Sequence, residues 1–132
     1  MKREERAVQI WSLLIFSARN RQILSYDLLS KLIGVPRPGL GQLLEPIQSY
    51  CILNSLPALT SLVVSEITGL PGEGFIGAQD VSKAQAKVFN YEWLSGIYPK
   101  AEDFKEAVQK LPSNGRSLDA LCIEAEKIVE FS

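Results

Sequence analysis

Apolar residues recur every three or four positions over most of this chain, which is the period of a helix that buries one face. The first such run contains Ala7, Val8, Ile10, Trp11, Leu14, Ile15 and Ala18. It predicts a first helix over residues 3–19. The same period predicts five further helices, over residues 25–34, 40–54, 80–94, 100–111 and 118–131.

The second predicted helix has a start signal and a stop signal. Ser25 can accept a hydrogen bond from the free amide of Leu28, and Asp27 places negative charge in the positive first turn. Gly34 is expected to end the helix. The two prolines within residues 35–39 prevent its continuation, because each lacks an amide donor and favours extended geometry in the preceding residue.

A short β-branched run interrupts the helical pattern. Val63 and Val64 lie just before a turn at residues 68–72, and this arrangement predicts a strand over residues 60–67. Residues 74–77 can return as the partner strand. The sequence therefore predicts a small hairpin or wing with a glycine-rich tip.

Length and composition are typical of an ordinary single domain. The chain has 132 residues, of which 46% are hydrophobic and 22% are charged, and this excludes a disordered tail or a highly charged nucleic-acid scaffold. Every apolar run is far shorter than the roughly 20 residues of a membrane span, so we expect a cytoplasmic protein without a membrane partner. We expect one domain over residues 1–132 that is mainly α, with five or six helices, one small β-hairpin and a winged-helix-like N-terminal half.

Catalytic and metal-binding chemistry is sparse in this sequence. The chain contains no histidine, which removes the commonest general base and the commonest zinc ligand. Cys51 and Cys122 lack the spacing of a zinc motif, and we interpret both as buried apolar side chains. The glycine-rich segment 69–74 lacks the helix and the Lys-Ser/Thr pair that follow a phosphate-binding loop. We predict no enzymatic activity and no metal or organic cofactor.

Charge is distributed unevenly along the chain. Residues 1–40 carry seven Lys or Arg and three Asp or Glu, a net charge of +4, whereas residues 41–132 carry seven and twelve, a net charge of −5. Within residues 41–76, the charged side chains are Glu45, Glu66 and Glu73. An acidic surface attracts basic partners by electrostatic steering.

Several short motifs follow one another between Leu24 and Phe75. They are Leu24-Ser25-Tyr26 before Leu28-Leu29, Leu32-Ile33-Gly34, the segment from Pro36 through Gly41, Val63-Val64, and the segment from Gly69 through Phe75. In this order they resemble the carboxy-terminal domain of alkylguanine-DNA alkyltransferases and of the alkyltransferase-like proteins. The resemblance covers about 50 of the 132 residues. It implies a winged helix-turn-helix that enters the DNA minor groove.

The same resemblance implies that the repair chemistry is missing. The positions of the family's Pro-Cys-His-Arg tetrad are held by Leu59, Thr60, Ser61 and Leu62, so the alkyl acceptor and its base are absent. Pro38 holds the position of the arginine that replaces an extruded base, and Arg37 lies one residue away. Tyr26 matches a functional residue of the family directly. The resemblance therefore implies DNA binding without alkyl transfer.

Two functions remain open at this point. The preferred one is a non-catalytic protein-binding module, in its specific form an immunity- or antitoxin-type inhibitor that covers the active site of a basic toxin nuclease with Glu45, Glu66 and Glu73. The alternative is a winged-helix nucleic-acid-binding protein of the alkyltransferase-like type, which assigns the contacts to Tyr26, Lys31 and Arg37. Against the alternative, the predicted third helix contains no Lys or Arg to neutralise phosphates.

Overall fold

The computed structural model describes residues 1–72 and 80–112, and these residues are mainly helical. The elements are α1 (Arg3–Arg19), β1 (Leu24–Ser25), α2 (Tyr26–Ile33), a 3-10 turn (Arg37–Gly39), α3 (Leu40–Leu53), a second 3-10 turn (Leu59–Leu62), β2 (Val63–Val64), α4 (Val81–Asn90) and α5 (Ala101–Lys110). The expected fold class, mainly α with one small β-element, is confirmed. The sixth predicted helix, at 118–131, and Cys122 lie outside the described residues.

The second helix begins and ends as its sequence signals predict. The Ser25 hydroxyl accepts a hydrogen bond from the amide of Leu28 at 3.0 Å. At the other end, Gly34 adopts a left-handed conformation with φ of 70°, which glycine reaches without the steric cost of a side chain. This helix therefore has a defined start and stop that are encoded locally.

The β-element is a parallel pair, in which Leu24 lies beside Val63 and Ser25 beside Val64. The predicted strand is shorter than expected, because the residues before Val63 form a 3-10 turn that buries both Leu59 and Leu62 completely. The predicted return strand at 74–77 lies outside the described residues. Since β1 leads directly into α2, the pairing fixes the start of α2 against the core.

The core is organised around α1, which packs against α3 and α5, while α3 and α5 also contact each other. Trp11 of α1 lies at the centre of an aromatic cluster. Its ring centroid is 5.6 Å from those of Tyr50 and Trp93 and 5.9 Å from that of Phe104. The first two contacts are edge-to-face, an arrangement that aromatic rings prefer to direct stacking.

α4 ends at Asn90, four residues before its predicted end. The reason is Trp93, whose indole N–H donates a hydrogen bond back to the Val88 carbonyl at 2.8 Å while its ring packs on Trp11. Continuing the helix would carry Trp93 away from this buried position, so packing of the indole ends the helix. In the part of the chain that is described, no helix has the length and apolar character needed to cross a membrane.

Candidate functional site

The parallel pairing of β1 and β2 brings two distant segments together. Both strands run in the same direction, so the chain after Val64 emerges beside the first turn of α2. This following loop, residues 65–72, is closed by hydrogen bonds from the Ser65 amide to the Leu70 carbonyl and from the Gly69 amide to the Ser65 carbonyl, each 2.8 Å long. The loop is thus a folded unit placed at the start of a helix.

Two hydrogen bonds attach this loop to α2. The Gly72 amide donates to the Tyr26 hydroxyl at 2.9 Å, and the Asp27 amide donates to the Glu66 carboxylate at 3.1 Å. The second contact places a negative charge at a helix N-terminus, where free amides and the helix dipole favour anions. Glu66 therefore supports the start of α2 in addition to the cap provided by Ser25.

Arg37 covers the outer side of this cluster. Its guanidinium carbon lies 5.7 Å from the centre of the Tyr26 ring, within the range of a cation–π contact. One guanidinium nitrogen also lies 3.4 Å from a carboxylate oxygen of Asp27. Both partners of this ion pair are about half exposed, so the pair orients Arg37 but adds little stability.

The two segments joined here, α2 and the loop, both carry exposed apolar side chains. They are Leu28 and Leu32 on α2 and Ile67 and Leu70 in the loop, with exposed fractions of 44%, 51%, 90% and 53%. We use the name α2 surface for these four residues together with Tyr26, Asp27, Lys31, Arg37 and Glu66. It combines an apolar group with charged residues of both signs.

Sequence reasoning missed the apolar part of this surface, although a signal was present. α2 contains four large apolar residues, Leu28, Leu29, Leu32 and Ile33, in eight positions. Leu29 and Ile33 are buried in the core. The other pair, four residues apart, occupies a separate face that an ordinary surface helix would fill with polar residues.

The three predicted partner-binding carboxylates are not brought together among the described residues. Glu45 projects from α3 towards α1, where it pairs with Arg3 at 3.8 Å, and its side chain is only 13% exposed. Glu66 belongs to the α2 surface. Glu73 lies outside the described residues. Of the three, Glu66 is therefore the carboxylate that the structure shows exposed at a candidate contact surface.

Two of the residues named for nucleic-acid binding, Tyr26 and Arg37, are in contact, but the neighbouring helix adds no basic side chain to them. Tyr26, Lys31 and Arg37 belong to the α2 surface, and Lys31 is exposed on α2. The following helix, α3, contains no Lys or Arg, and half of its 14 residues are buried. A recognition helix needs exposed polar and basic side chains that reach bases and phosphates, and α3 is a core helix instead.

The four residues aligned with the alkyltransferase tetrad, Leu59 to Leu62, form a fully buried 3-10 turn. Within the described structure, the hydroxyl oxygens of Thr60 and Ser61 are buried and have no hydrogen-bond partner. They face protein rather than an open site. These four residues are therefore part of the core, although the family resemblance places the alkyl-acceptor position among them.

Cys51 is a free and buried thiol in α3. Burial raises its pKa to about 12, from an ordinary value of 9.0. The thiolate is the reactive form of cysteine. A buried thiol that keeps its proton at neutral pH has neither the charge nor the access required of a nucleophile.

A shallow cleft of about 310 Å³ lies between α3 and α5. Its polar lining includes Tyr50, Asp103, Glu106 and Lys110. The charged groups of this lining already have partners: Glu106 pairs with Lys110 at 2.7 Å, and Asp103 accepts a hydrogen bond from the Lys100 amide at 2.7 Å. The cleft is consequently a groove between paired surface residues.

The described residues contain no group of three or more potential metal ligands from Cys, Asp or Glu side chains. Comparison with known proteins adds no further assignment: no family model, no curated protein and no solved structure matches this chain. The α2 surface, defined by geometry alone, is the candidate functional site.

Proposed function

We propose that this protein is a non-catalytic protein-binding module that contacts its partner through the α2 surface. The observation that carries the proposal is the presence of four exposed apolar side chains on one helix and on the loop bound to its first turn. Isolated exposed apolar residues are ordinary, but apolar groups concentrated within a polar rim are typical of interaction sites.

The composition of the α2 surface supports a protein partner. Tyr26 and Arg37 belong to residue types that are enriched among the strongest contributors to protein–protein affinity. Leu28 and Leu32 supply apolar area, while Asp27 and Lys31 lie beside them as polar neighbours. This combination matches the usual anatomy of an interface, in which an apolar centre is enclosed by charged groups.

The surface is also held in place before any partner binds. The opposite face of α2 is anchored in the core by Leu29 and Ile33, which are 0% and 5% exposed. The loop is attached through Tyr26 and Glu66. Because a rigid surface loses little conformational freedom on binding, more of the contact energy is available for affinity.

The immunity-type form of the proposal adds that the partner is a basic toxin domain. Glu66 supports this form, since it is an exposed carboxylate on the α2 surface and belongs to the acidic stretch of the sequence. Replacing Glu66 with glutamine removes the charge but keeps an oxygen that can accept the Asp27 amide. With a basic partner, Glu66→Gln is expected to slow association and weaken its dependence on salt.

The proposal is tested by affinity capture from the native host with three forms of the chain. Leu32→Gln removes an apolar side chain that is 51% exposed, and Phe16→Gln, on α1, removes one that is 58% exposed and serves as the matched control. We expect a protein captured by the wild type and by Phe16→Gln, with Leu32→Gln weakening its affinity about tenfold or more. Thermal unfolding of each variant checks that the fold is retained.

Two results would reject the proposal. One is capture of the partner by Leu32→Gln as well as by the wild type. The other is binding that disappears after nuclease treatment and falls steeply with salt, because such binding indicates contacts with nucleic-acid phosphates. In that case Lys31→Glu and Arg37→Glu are expected to lower the affinity, and the nucleic-acid alternative is adopted.

A further inference from the structure

The α2 surface is self-complementary in charge when two copies of the helix lie antiparallel. We propose that a second copy of this chain docks on this surface and forms a symmetric dimer in which Asp27 of each chain faces Lys31 of the other. This inference rests on the proposed function, because it uses the same exposed apolar residues. It adds a specific occupant for the surface and a geometry for the contact.

The helical period places the required residues correctly. Residues four apart lie on one face of a helix, so Leu28 and Leu32 form one short row, while Asp27 and Lys31 form a second row beside it. Leu29 and Ile33, on the other side, are buried in the core. The charged row therefore lies on the side of the leucines that is turned away from the core.

A twofold axis that passes between Leu28 and Leu32 places the two rows of one chain against the same two rows of the other chain. In an isologous contact, if residue i of one chain touches residue j of the other, then j touches i as well. With antiparallel helices, Leu28 meets Leu32 of the partner subunit, and Asp27 lies opposite Lys31 of the partner subunit. In a symmetric parallel arrangement the two charged rows would lie on opposite sides of the contact and would not meet, so opposite charges face each other only when the helices are antiparallel.

The environment of Asp27 permits this contact. Asp27 already pairs with Arg37 at 3.4 Å, but its side chain is 47% exposed. Its carboxylate is therefore accessible to a second cation from the partner subunit. Lys31 is exposed on the same side of α2. Dimerisation and partner binding use the same leucines, and they are therefore mutually exclusive: the dimer covers the α2 surface until a partner competes for it.

The test is sedimentation of the full chain over a wide range of concentrations. The wild type is expected to dimerise reversibly, and Leu32→Gln, but not Phe16→Gln, is expected to remain monomeric. Asp27→Lys and Lys31→Asp each replace two attractive contacts with two repulsive ones, which should weaken the homodimer about tenfold. Mixing these two variants restores both attractions, so the mixture is expected to form a heterodimer with affinity close to that of the wild type.

The mixing experiment separates charge complementarity from damage to the fold, because two misfolded variants would not recover binding when combined. A wild type that stays monomeric at every concentration, or a mixture that associates no better than its components, overturns the inference. Equal loss of the dimer in Phe16→Gln and Leu32→Gln overturns it too. None of these results affects capture of a different protein by the α2 surface, which tests the proposed function separately.

Discussion

Replacing Gly72 with alanine tests whether Tyr26 holds the loop of residues 65–72 against α2. A Cβ atom added at Gly72 would lie 2.5 Å from the Tyr26 hydroxyl oxygen and 3.2 Å from the ring carbon that bears it. The backbone of Gly72 is not in the left-handed region, so the steric problem comes from Tyr26 and not from the backbone conformation. The substitution therefore acts on one identified contact.

The expected magnitudes follow from opposing effects. Overpacking lowers the stability of the folded state by about 1–3 kcal/mol. Alanine in place of glycine restricts the unfolded chain, which raises the stability by about 0.4–1 kcal/mol. We expect Gly72→Ala to lower the free energy of unfolding by about 1–2 kcal/mol. Tyr26→Phe removes the hydroxyl that accepts the Gly72 amide and is expected to cost about 1 kcal/mol.

The decisive measurement is a double-mutant cycle by denaturant unfolding. In the Tyr26→Phe background the hydroxyl is absent and the nearest atom is the ring carbon at 3.2 Å, so alanine at Gly72 needs a much smaller shift and should cost little. The double variant is then about 1–2 kcal/mol more stable than the sum of the two single effects predicts. Additivity of the two substitutions within about 0.5 kcal/mol would refute the contact between Tyr26 and Gly72 as the link between loop and helix.

Three further predictions concern the core. Because burial raises the Cys51 pKa from 9.0 to about 12, the native protein should resist thiol alkylation at neutral pH at this residue and react there only after unfolding; rapid labelling of native Cys51 would contradict its burial. The folded state favours the protonated thiol, so the contribution of Cys51 to the free energy of unfolding is present below pH 9.0 and is lost as the pH rises from there towards 12. Denaturant unfolding at a series of alkaline pH values measures this loss. Phe104→Ala should destabilise the protein by about 3–5 kcal/mol, because Phe104 is fully buried against Trp11 and Tyr50; a loss below about 1 kcal/mol in denaturant unfolding would contradict its place at the centre of the core.

Local chemistry explains why most helices were predictable from the sequence. The period of apolar residues located α1, and the hydroxyl of Ser25 together with the conformational freedom of Gly34 set the ends of α2. These signals act within one or two turns of the chain, so they do not depend on distant partners. The end of α4 was not predictable in this way, because it depends on the packing of Trp93 against Trp11 of another helix.

The candidate site was only partly predictable. Tyr26, Lys31, Arg37 and Glu66 were named from the sequence, but under two different functions and without any sign that they share a surface. Leu28 and Leu32 lie at helical spacing, but spacing shows only that apolar residues recur and not whether the core has room for them. Exposure depends on what packs against each face, and that is a property of the assembled molecule.

The sequence by itself determined that this protein is mainly α and determined where its capped helix α2 begins and ends, because helix periodicity and caps are local interactions. Only the tertiary structure decided that Val63 and Val64 pair in parallel with Leu24 and Ser25. That pairing joins segments 39 residues apart along the chain, and its register depends on how the 3-10 turn before β2 fits the core. Since the loop of residues 65–72 reaches α2 through this register, the α2 surface exists only once the chain has folded.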